Sequence, residues 1–140
     1  MRVVIDPNVL VSGAIAAGRS AELIDLWLTE RPFEIVTCPM LLAELRDVLA
    51  RDKFRRWIDA VDARLYADRF EDESDTWPDP TDVPPATGDP KDNYLVALYR
   101  GSGADVLVSG DSDLTRLTEE DVTVLTPAQL LSRLGRETRS

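Results

Sequence analysis

Two carboxylates follow a short apolar run near the middle of the C-terminal half of this chain. Residues 106–108 (Val-Leu-Val) are typical of a strand buried on both faces, and the run ends at Ser109 and Gly110. Asp111 and Asp113 come next, at the kind of sheet edge where α/β proteins bind ligands. Carboxylates at that edge indicate a hard cation such as Mg²⁺ or Mn²⁺ rather than zinc or copper, because the chain has no His and a single Cys.

Three further acids occupy positions that could reach the same edge. Asp6 ends the apolar run at residues 2–6. Glu44 borders the apolar stripe of a predicted helix, because at about 100° per residue it lies roughly 40° around the helix from Val48. Asp92 falls in a well-formed helix start, three residues after Asp89. Four separate parts of the chain therefore each contribute one acid.

Three of these acids have an ordinary structural explanation as well. Asp111 could cap a short helix over residues 112–117, and Asp92 could bond back to amides exposed at its helix start. Glu44 could be a boundary residue whose aliphatic stem covers the core. A functional site is favoured over these separate explanations only if the fold brings the acids together.

Strands alternate with helices along the chain, which predicts a mostly parallel sheet covered on both faces. We expect strands at residues 2–6, 33–37, 105–108 and 122–125. Right-handed crossovers favour an order in which the first strand lies beside the third, with the second and fourth outside them. The predicted fold class is therefore α/β, a three-layer α/β/α sandwich with a mostly parallel sheet of four or five strands. Asp6 and Asp111 would then emerge in the crevice between the central strands.

Helical periodicity and capping signals predict the connecting elements. Ser20 is a plausible N-cap for a helix ending near Glu30, and Thr126-Pro127 begins the last helix. The other predicted helices are at residues 39–49, 54–70 and 90–100. Pro7 and Asn8 are expected to turn the chain before a break at Ser12-Gly13. Residues 77–90, which hold five of the nine prolines, are expected to form a surface loop.

The length and composition predict a single globular domain. With 140 residues, we expect one domain over residues 1–135 and a frayed tail at residues 136–140. No apolar run approaches the ~20 residues needed to span a bilayer, and Asp6-Pro7 interrupts the first run before it could serve as a signal peptide. Because Cys38 is the single cysteine, no internal disulfide can form, and the cytoplasm is the expected location.

The net charge of −10 argues against a general nucleic-acid coat. It does not exclude a local site, because divalent ions can offset acids in a cleft, and most basic residues are Arg, which suits bidentate phosphate contacts. The densest positive cluster consists of Arg51, Lys53, Arg55 and Arg56. This basic cluster is either a solvated helix junction or a patch that contacts phosphates away from the reaction centre.

Four motifs, in their order and spacing, resemble those of PIN domains. They are residues 3–13 (VVIDPNVLVSG), 38–49 (CPMLLAELRDVL), 89–95 (DPKDNYL) and 108–114 (VSGDSDL). Each motif is weak alone, but the ordered set is specific and covers about residues 2–134. The closest resemblance is to the toxin components of bacterial toxin-antitoxin systems.

The resemblance implies a metal-dependent ribonuclease that hydrolyses phosphodiester bonds. The residues that match the family's principal acids, which surround one or two Mg²⁺ or Mn²⁺ ions, are Asp6, Glu44, Asp92 and Asp111. Residues that match Asn8 support the first acid, and those that match Ser109 and Asp113 assist at the last. Pro7 stands where the family usually has threonine, which removes a hydroxyl contact and leaves the four acids in place.

The resemblance also implies partners. The substrate would be RNA, and an antitoxin protein would bind the toxin. Members of the family often pair, and the predicted helix at residues 54–70 carries apolar residues, including Trp57, beyond what one small core covers. We therefore also expect a homodimer.

Physical chemistry agrees with the implied site. Carboxylates forced together repel and raise one another's pKa unless a cation compensates, so folding alone gives little reason to gather four. A metal ion can lower the pKa of its bound water, hold the scissile phosphate and, with a second ion, stabilise the attacking and leaving oxygens. We expect cleavage to leave a 5′-phosphate and a 3′-hydroxyl.

Two other classes of function stay open on the sequence. A phosphatase of the haloacid-dehalogenase type, or a receiver-like phosphoacceptor domain, also places Asp at the end of its first strand. Here Asn8 stands where the phosphatase needs a second Asp, and no well-placed Lys follows a late strand. A non-catalytic interaction module that kept the fold would have no use for the acids. Stabilisation by a divalent metal would separate an intact metal site from such a module.

Overall fold

A five-stranded parallel sheet forms the centre of the computed structural model, which describes residues 1–81, 83, 92–115 and 121–139 and, within these, all side chains except those of residues 112, 113 and 136–139. The strands are β1 (Arg2–Ile5), β2 (Glu34–Thr37), β3 (Asp75–Thr76), β4 (Val106–Val108) and β5 (Val124–Leu125). Their order is β3-β2-β1-β4-β5, and every neighbouring pair is parallel. The order predicted for the four strands expected from the sequence is confirmed. β1 lies beside β4, and β2 and β5 lie outside them.

β3 is an edge strand that the sequence does not predict. It has two residues, both exposed, so no apolar pattern marks it. It pairs with the end of β2, and the Trp77 amide continues that pairing by donating to the Thr37 carbonyl at 2.8 Å. The strand directly precedes residues 77–90, which we expected to form a loop; of that loop, residues 82 and 84–90 lie outside the described part.

Seven α-helices lie in the described part of the chain, with one 3₁₀ turn at Asp52–Phe54. The helices are α1 (Pro7–Ile15), α2 (Arg19–Glu30), α3 (Pro39–Leu49), α4 (Ala60–Glu73), α5 (Asn93–Ser102), α6 (Ser112–Thr115) and α7 (Pro127–Arg139). The predicted helix at residues 54–70 is thus divided, because Asp59 begins α4 by accepting a hydrogen bond from the Asp62 amide at 2.8 Å. The expected tail also differs, since residues 136–139 continue α7.

Helix α1 corrects the prediction of a turn at Pro7 and a break at Ser12-Gly13. Pro7 is the first helical residue, a position where its missing N–H is not needed. Gly13 does not end the helix. A Cβ at Gly13 would lie 3.3 Å from the Ser20 carbonyl oxygen, so this glycine permits close packing of α1 on α2. The sequence signal of a break was in fact a signal of helix contact.

The helices cover both faces of the sheet. Helix α1 packs against α2 and α3, α3 packs against α4, and α2 packs against α7. Helix α5 packs on β1 and β4. Because the crossovers before and after β3 run in opposite directions across the sheet, right-handed connections place α5 on the face opposite α3. The fold is therefore a three-layer α/β/α arrangement, as predicted.

The central strands are the most buried part of the core. Val3, Val4 and Ile5 of β1 are 0% exposed, and Leu107 and Val108 of β4 are equally inaccessible. Polar side chains at the carboxyl ends of these two strands consequently lie at the border of the core. Among the described residues, no helix combines the length and the apolar character needed to cross a membrane.

Candidate active site

Asp6 is a buried carboxylate at the end of β1, with an exposed fraction of 1%. Its Oδ1 accepts a hydrogen bond from the Asn8 amide at 2.9 Å, which caps α1. Its Oδ2 accepts a hydrogen bond from the Ser109 hydroxyl, also at 2.9 Å. Its own amide donates to the Val108 carbonyl at 2.9 Å. The carboxylate is therefore fixed at the junction of the two central strands.

Ser109 connects Asp6 to Asp111. The Ser109 side chain is fully buried, and its Oγ accepts a hydrogen bond from the Asp111 amide at 3.0 Å while it donates to Asp6. The Asp111 carbonyl accepts the Leu114 and Thr115 amides at 3.2 and 2.9 Å, so Asp111 begins α6. The predicted meeting of Asp6 and Asp111 is thus what the structure shows, and one hydroxyl group joins them.

The environment of Asp6 disfavours its negative charge. Burial is the largest cause and raises the pKa of Asp6, and the nearby charge of Asp111 raises it further. The hydrogen bonds from the Asn8 amide and the Ser109 hydroxyl oppose this rise. No salt bridge within the described part of the chain reaches Asp6. A cation beside Asp6 and Asp111 would remove the electrostatic cost of gathering these two acids.

Glu44 is held by a tyrosine from another helix. Glu44 is half-buried on α3, and the Tyr94 hydroxyl on α5 donates a hydrogen bond to Glu44 Oε1 at 3.2 Å. Burial, followed by the charge of Glu44, raises the pKa of Tyr94, and the charge of Asp6 contributes to the rise. The Tyr94 hydroxyl therefore lies within electrostatic reach of both acids. Sequence reasoning missed this role, because it placed Tyr94 on the apolar side of its helix.

Asp92 is half-buried at the start of α5. It occupies the N-cap position itself, and its side chain makes no hydrogen bond that caps the helix. The prediction that Asp89 caps this helix falls outside the described residues. Capping therefore does not account for the carboxylate of Asp92, which stays a candidate ligand two residues before Tyr94.

A cleft of about 340 Å³ contains two of the four acids. It is lined in part by Asp6, Asn8, Ser12, Ser20, Gly110 and Asp111. Glu44 and Asp92 do not line it. The prediction that Ser20 is the N-cap of α2 is wrong, because Gly18 takes that position. Ser20 lies in the first turn of the helix and lines the cleft. Neither Ser12 nor Ser20 carries a sequence signal that would have marked it as part of a site.

The donor atoms of this site suit a hard divalent cation, since they are carboxylate and hydroxyl oxygens. Asp6 and Asp111 are the pair that the cleft brings together. A complete ligand group is not preformed: among the residues with described positions, no three acidic, Cys or His side chains are arranged to hold a metal ion. The chemistry of the donors fits a metal, and Asp6 with Asp111 forms the part of the site that is already assembled.

Asn8 and Asp113 were predicted to support the first and the last acid, and the structure describes the side chain of Asn8 alone. The hydrogen bond from Asn8 to Asp6 comes from the Asn8 backbone amide, while the exposed Asn8 side chain lines the cleft. The side chain of Asp113 is outside the described part. The hydrogen bond that supports Asp6 therefore does not depend on the side-chain carboxamide of Asn8.

The basic cluster lies far from the cleft. Helix α3 starts at the carboxyl edge of the sheet and runs back for 11 residues, or about 16 Å, before the cluster begins. The Arg55 guanidinium donates to the carbonyls of Leu49 and Arg51, which places it at the C-terminus of α3. Lys53 and Arg56 lie over aromatic rings, and Arg51 is 3.7 Å from Asp47. Arg55 thus has a structural role that we did not predict.

Comparison with known proteins adds a family match. A family model for the PIN domain matches residues 2–113 of this chain. No curated protein matches it. Several solved structures share the fold at low sequence identity.

Two of these structures are bacterial. The chain is similar to VapBC2 from Rickettsia felis, solved with a DNA fragment from its promoter, with 14% identity, 90% of this chain and 98% of that chain covered, and a TM-score of 0.60. It is also similar to the sarcin-ricin loop cleaving toxin VapC20 of Mycobacterium tuberculosis, with 16% identity, 86% and 98% covered, and a TM-score of 0.59.

A third similar structure is eukaryotic. The PIN domain of RRP44 from T. brucei shares 15% identity with this chain, with 98% of this chain and 82% of that chain covered and a TM-score of 0.52. At such low identity these three likenesses show a common fold.

Proposed function

Because this chain belongs to the PIN domain family, we propose that it is a Mg²⁺- or Mn²⁺-dependent ribonuclease that hydrolyses phosphodiester bonds. One observation carries the proposal. The buried carboxylate of Asp6 is held beside Asp111 by Ser109, in a cleft, with no salt bridge to Asp6 among the described residues. Such a charge arrangement costs stability unless a cation binds there.

The four acids have distinct parts in this proposal. Asp6 and Asp111 would hold the metal ion at the cleft, and Glu44 and Asp92 would complete its ligands. The ion would supply a bound water of lowered pKa and stabilise charge on the scissile phosphate. Ser109 orients the Asp6 carboxylate and holds the backbone at Asp111, and the cleft gives a phosphate access to both acids.

We also propose that the chain is the toxin of a toxin-antitoxin pair, with an antitoxin as its partner and the cytoplasm as its location. The similarity in fold to VapBC2 and VapC20 supports this proposal, and the reduced state expected of the single cysteine agrees with it.

The proposed homodimer has a candidate surface. Val61 and Leu65 lie one turn apart on α4 and are 54% and 57% exposed, and Trp57, which is 54% exposed, lies in the segment before that helix. Large apolar side chains grouped on one exposed face are typical of an interface.

Cleavage of a labelled single-stranded RNA tests the enzymatic proposal. We expect Mn²⁺ or Mg²⁺ to support cleavage, EDTA to abolish it, and Asp111→Asn to lower the rate by about 100-fold or more. Asp105→Asn is the matched control, since Asp105 is an exposed acid that precedes the same strand and binds the Arg2 amide. Its activity should equal that of the wild type.

Three outcomes would contradict the proposal. Cleavage that persists in EDTA, or an Asp111→Asn variant as active as Asp105→Asn, would remove the acids from the reaction. A protein that neither cleaves RNA nor gains thermal stability from Mn²⁺ would instead be a PIN-fold interaction module.

A further inference from the structure

Tyr94 joins the two helices that carry Glu44 and Asp92. It lies in the first turn of α5, two residues after Asp92, and is 7% exposed. Its hydroxyl crosses to α3 and donates to Glu44 Oε1 at 3.2 Å. Helices α3 and α5 cover opposite faces of the sheet, so this hydrogen bond ties one layer of the fold to the other at the edge where the acids lie.

The ring and the hydroxyl of Tyr94 do different things. The ring is part of the buried core and could be replaced by that of phenylalanine at nearly constant volume. The hydroxyl is a buried polar group, which needs a partner, and Glu44 supplies it. The hydroxyl is the donor in this hydrogen bond, and the Glu44 carboxylate is the acceptor at 3.2 Å.

The Glu44 carboxylate has more positions open to it than the carboxylate of Asp6. Asp6 is fixed through hydrogen bonds to both of its carboxylate oxygens. Glu44 has a longer, half-buried side chain with more rotatable bonds, so its carboxylate can occupy several positions unless a neighbour selects one.

We propose that Tyr94 is a positioning residue whose hydrogen bond holds the Glu44 carboxylate in place to complete the metal site begun by Asp6 and Asp111. This inference rests on the proposed metal-dependent function. Groups that orient a metal ligand typically change metal affinity by about 10- to 100-fold when they are removed. Tyr94 acts through Glu44. The effect of removing the Tyr94 hydroxyl on metal affinity should therefore disappear in a variant whose residue 44 no longer binds the metal.

Calorimetric titration of the metal-free protein with Mn²⁺ tests the proposal without an activity assay. We expect Tyr94→Phe to raise the Kd for Mn²⁺ by about tenfold. Tyr99→Phe is the matched control. Tyr99 is a buried tyrosine of the same helix, and its hydroxyl contacts the Asp105 carbonyl at 3.3 Å and the Thr123 amide at 3.1 Å, away from the acids. Its Kd for Mn²⁺ should match that of the wild type.

A double-variant cycle separates positioning from a general loss of structure. Glu44→Gln alone should weaken Mn²⁺ binding, and adding Tyr94→Phe should weaken it no further. A further loss in the double variant would show that Tyr94 acts by another route and would overturn the proposal. Thermal melts followed by circular dichroism identify any variant that has lost its fold, and for such a variant the comparison moves to Glu44→Asp, which keeps the charge but withdraws it from the hydroxyl.

The outcomes distinguish this inference from the function on which it rests. If the wild type binds no Mn²⁺, the proposed function fails and the role of Tyr94 fails with it. If the wild type and Tyr99→Phe bind Mn²⁺ and Tyr94→Phe binds it equally well, the positioning role alone is overturned.

Discussion

The hydroxyl of Ser109 donates a hydrogen bond to Asp6 Oδ2 across 103 positions of sequence, at a distance of 2.9 Å. The same oxygen accepts a hydrogen bond from the Asp111 amide at 3.0 Å. One fully buried side chain therefore provides a hydrogen-bond partner for the Asp6 carboxylate and for the Asp111 backbone. The Asp6 carboxylate and the Asp111 backbone are therefore linked through one side chain. A change at Ser109 should affect both at once.

Ser109→Ala should destabilise the protein by about 1–3 kcal/mol, because it leaves a buried carboxylate oxygen and a backbone amide without their partner. Ser102→Ala is the control. Ser102 is also buried, but its hydroxyl bonds back to the Tyr99 carbonyl of its own helix at 3.4 Å. Urea denaturation should show a smaller loss for Ser102→Ala, and equal losses would mean that Ser109 contributes no more than an ordinary buried serine.

Asp6→Asn should leave the metal-free protein as stable as the wild type or stabilise it by up to about 1–2 kcal/mol at neutral pH, since it removes a buried charge beside Asp111. The sign follows from the pKa of Asp6, which is higher in the folded protein than the value of 3.8 expected when unfolded. The folded state then holds its proton more tightly, so Asp6 reduces stability as the pH rises above that value.

The difference in unfolding free energy between the wild type and Asp6→Asn, measured from pH 3 to pH 7 without metal, isolates this effect. The variant should become more stable relative to the wild type as the pH increases. Mn²⁺ should raise the melting temperature of the wild type and not that of the variant. A variant that is less stable at pH 7 than at pH 3, relative to the wild type, would show that the capping of α1 outweighs the repulsion.

Arg55→Ala should cost about 1–2 kcal/mol of stability, because the Arg55 guanidinium bonds to carbonyls at the C-terminus of α3. The part of the basic cluster that can contact phosphates is then Lys53 and Arg56. A Lys53→Ala, Arg56→Ala double variant should raise KM for RNA and flatten the salt dependence of binding with little change in kcat. An unchanged salt slope would show that this cluster is a solvated helix junction.

Cys38 should be inert to thiol reagents near neutral pH, since it is 0% exposed and burial raises its pKa to about 11. Its ordinary value is 9.0, so the folded state retains a proton that the unfolded state releases. Stability should therefore fall as the pH rises above 9, by at most about 1.4 kcal/mol per pH unit. Chemical denaturation between pH 8 and pH 10 should show a smaller fall for Cys38→Ala. Equal slopes would mean that other groups cause the decline.

Leu65→Asp should convert a dimer to a monomer, because it places a charge one helical turn from Val61 on the exposed apolar face of α4. Asp62→Asn, a change between polar residues on the same helix, serves as the control. Light scattering at tens of micromolar measures both. A monomeric wild type would contradict the proposed dimer, and a dimeric Leu65→Asp would place the interface on another surface.

The order of the central strands could be predicted because it depends on periodicity and on crossover handedness, both of which are local or general rules. The meeting of Asp6 and Asp111 follows from that order. The exposed edge strand β3 could not be predicted, since two polar residues carry no pattern. Helix α1 was missed because Gly13 has the same appearance in a sequence whether it breaks a helix or lets a neighbour approach.

The finer parts of the site depend on contacts between elements far apart in the chain. Nothing in the residues around Tyr94 indicates that its hydroxyl bonds to Glu44, which lies 50 positions earlier. Nor does the spacing of charges show that Arg55 turns back to cap α3. Residue types predicted the kind of chemistry, whereas long-range packing determines which atoms meet.

The central position of β1 affects when the cleft can exist during synthesis. The strand that carries the first acid is made first, but both its neighbour β4 and the Ser109 hydroxyl arrive about a hundred residues later. A nascent or truncated chain that stops before residue 106 contains Asp6, Glu44 and Asp92 and still lacks one wall of the cleft. If the protein cuts RNA, the ribosome making it would be protected from its product until β4 and Ser109 have been synthesised.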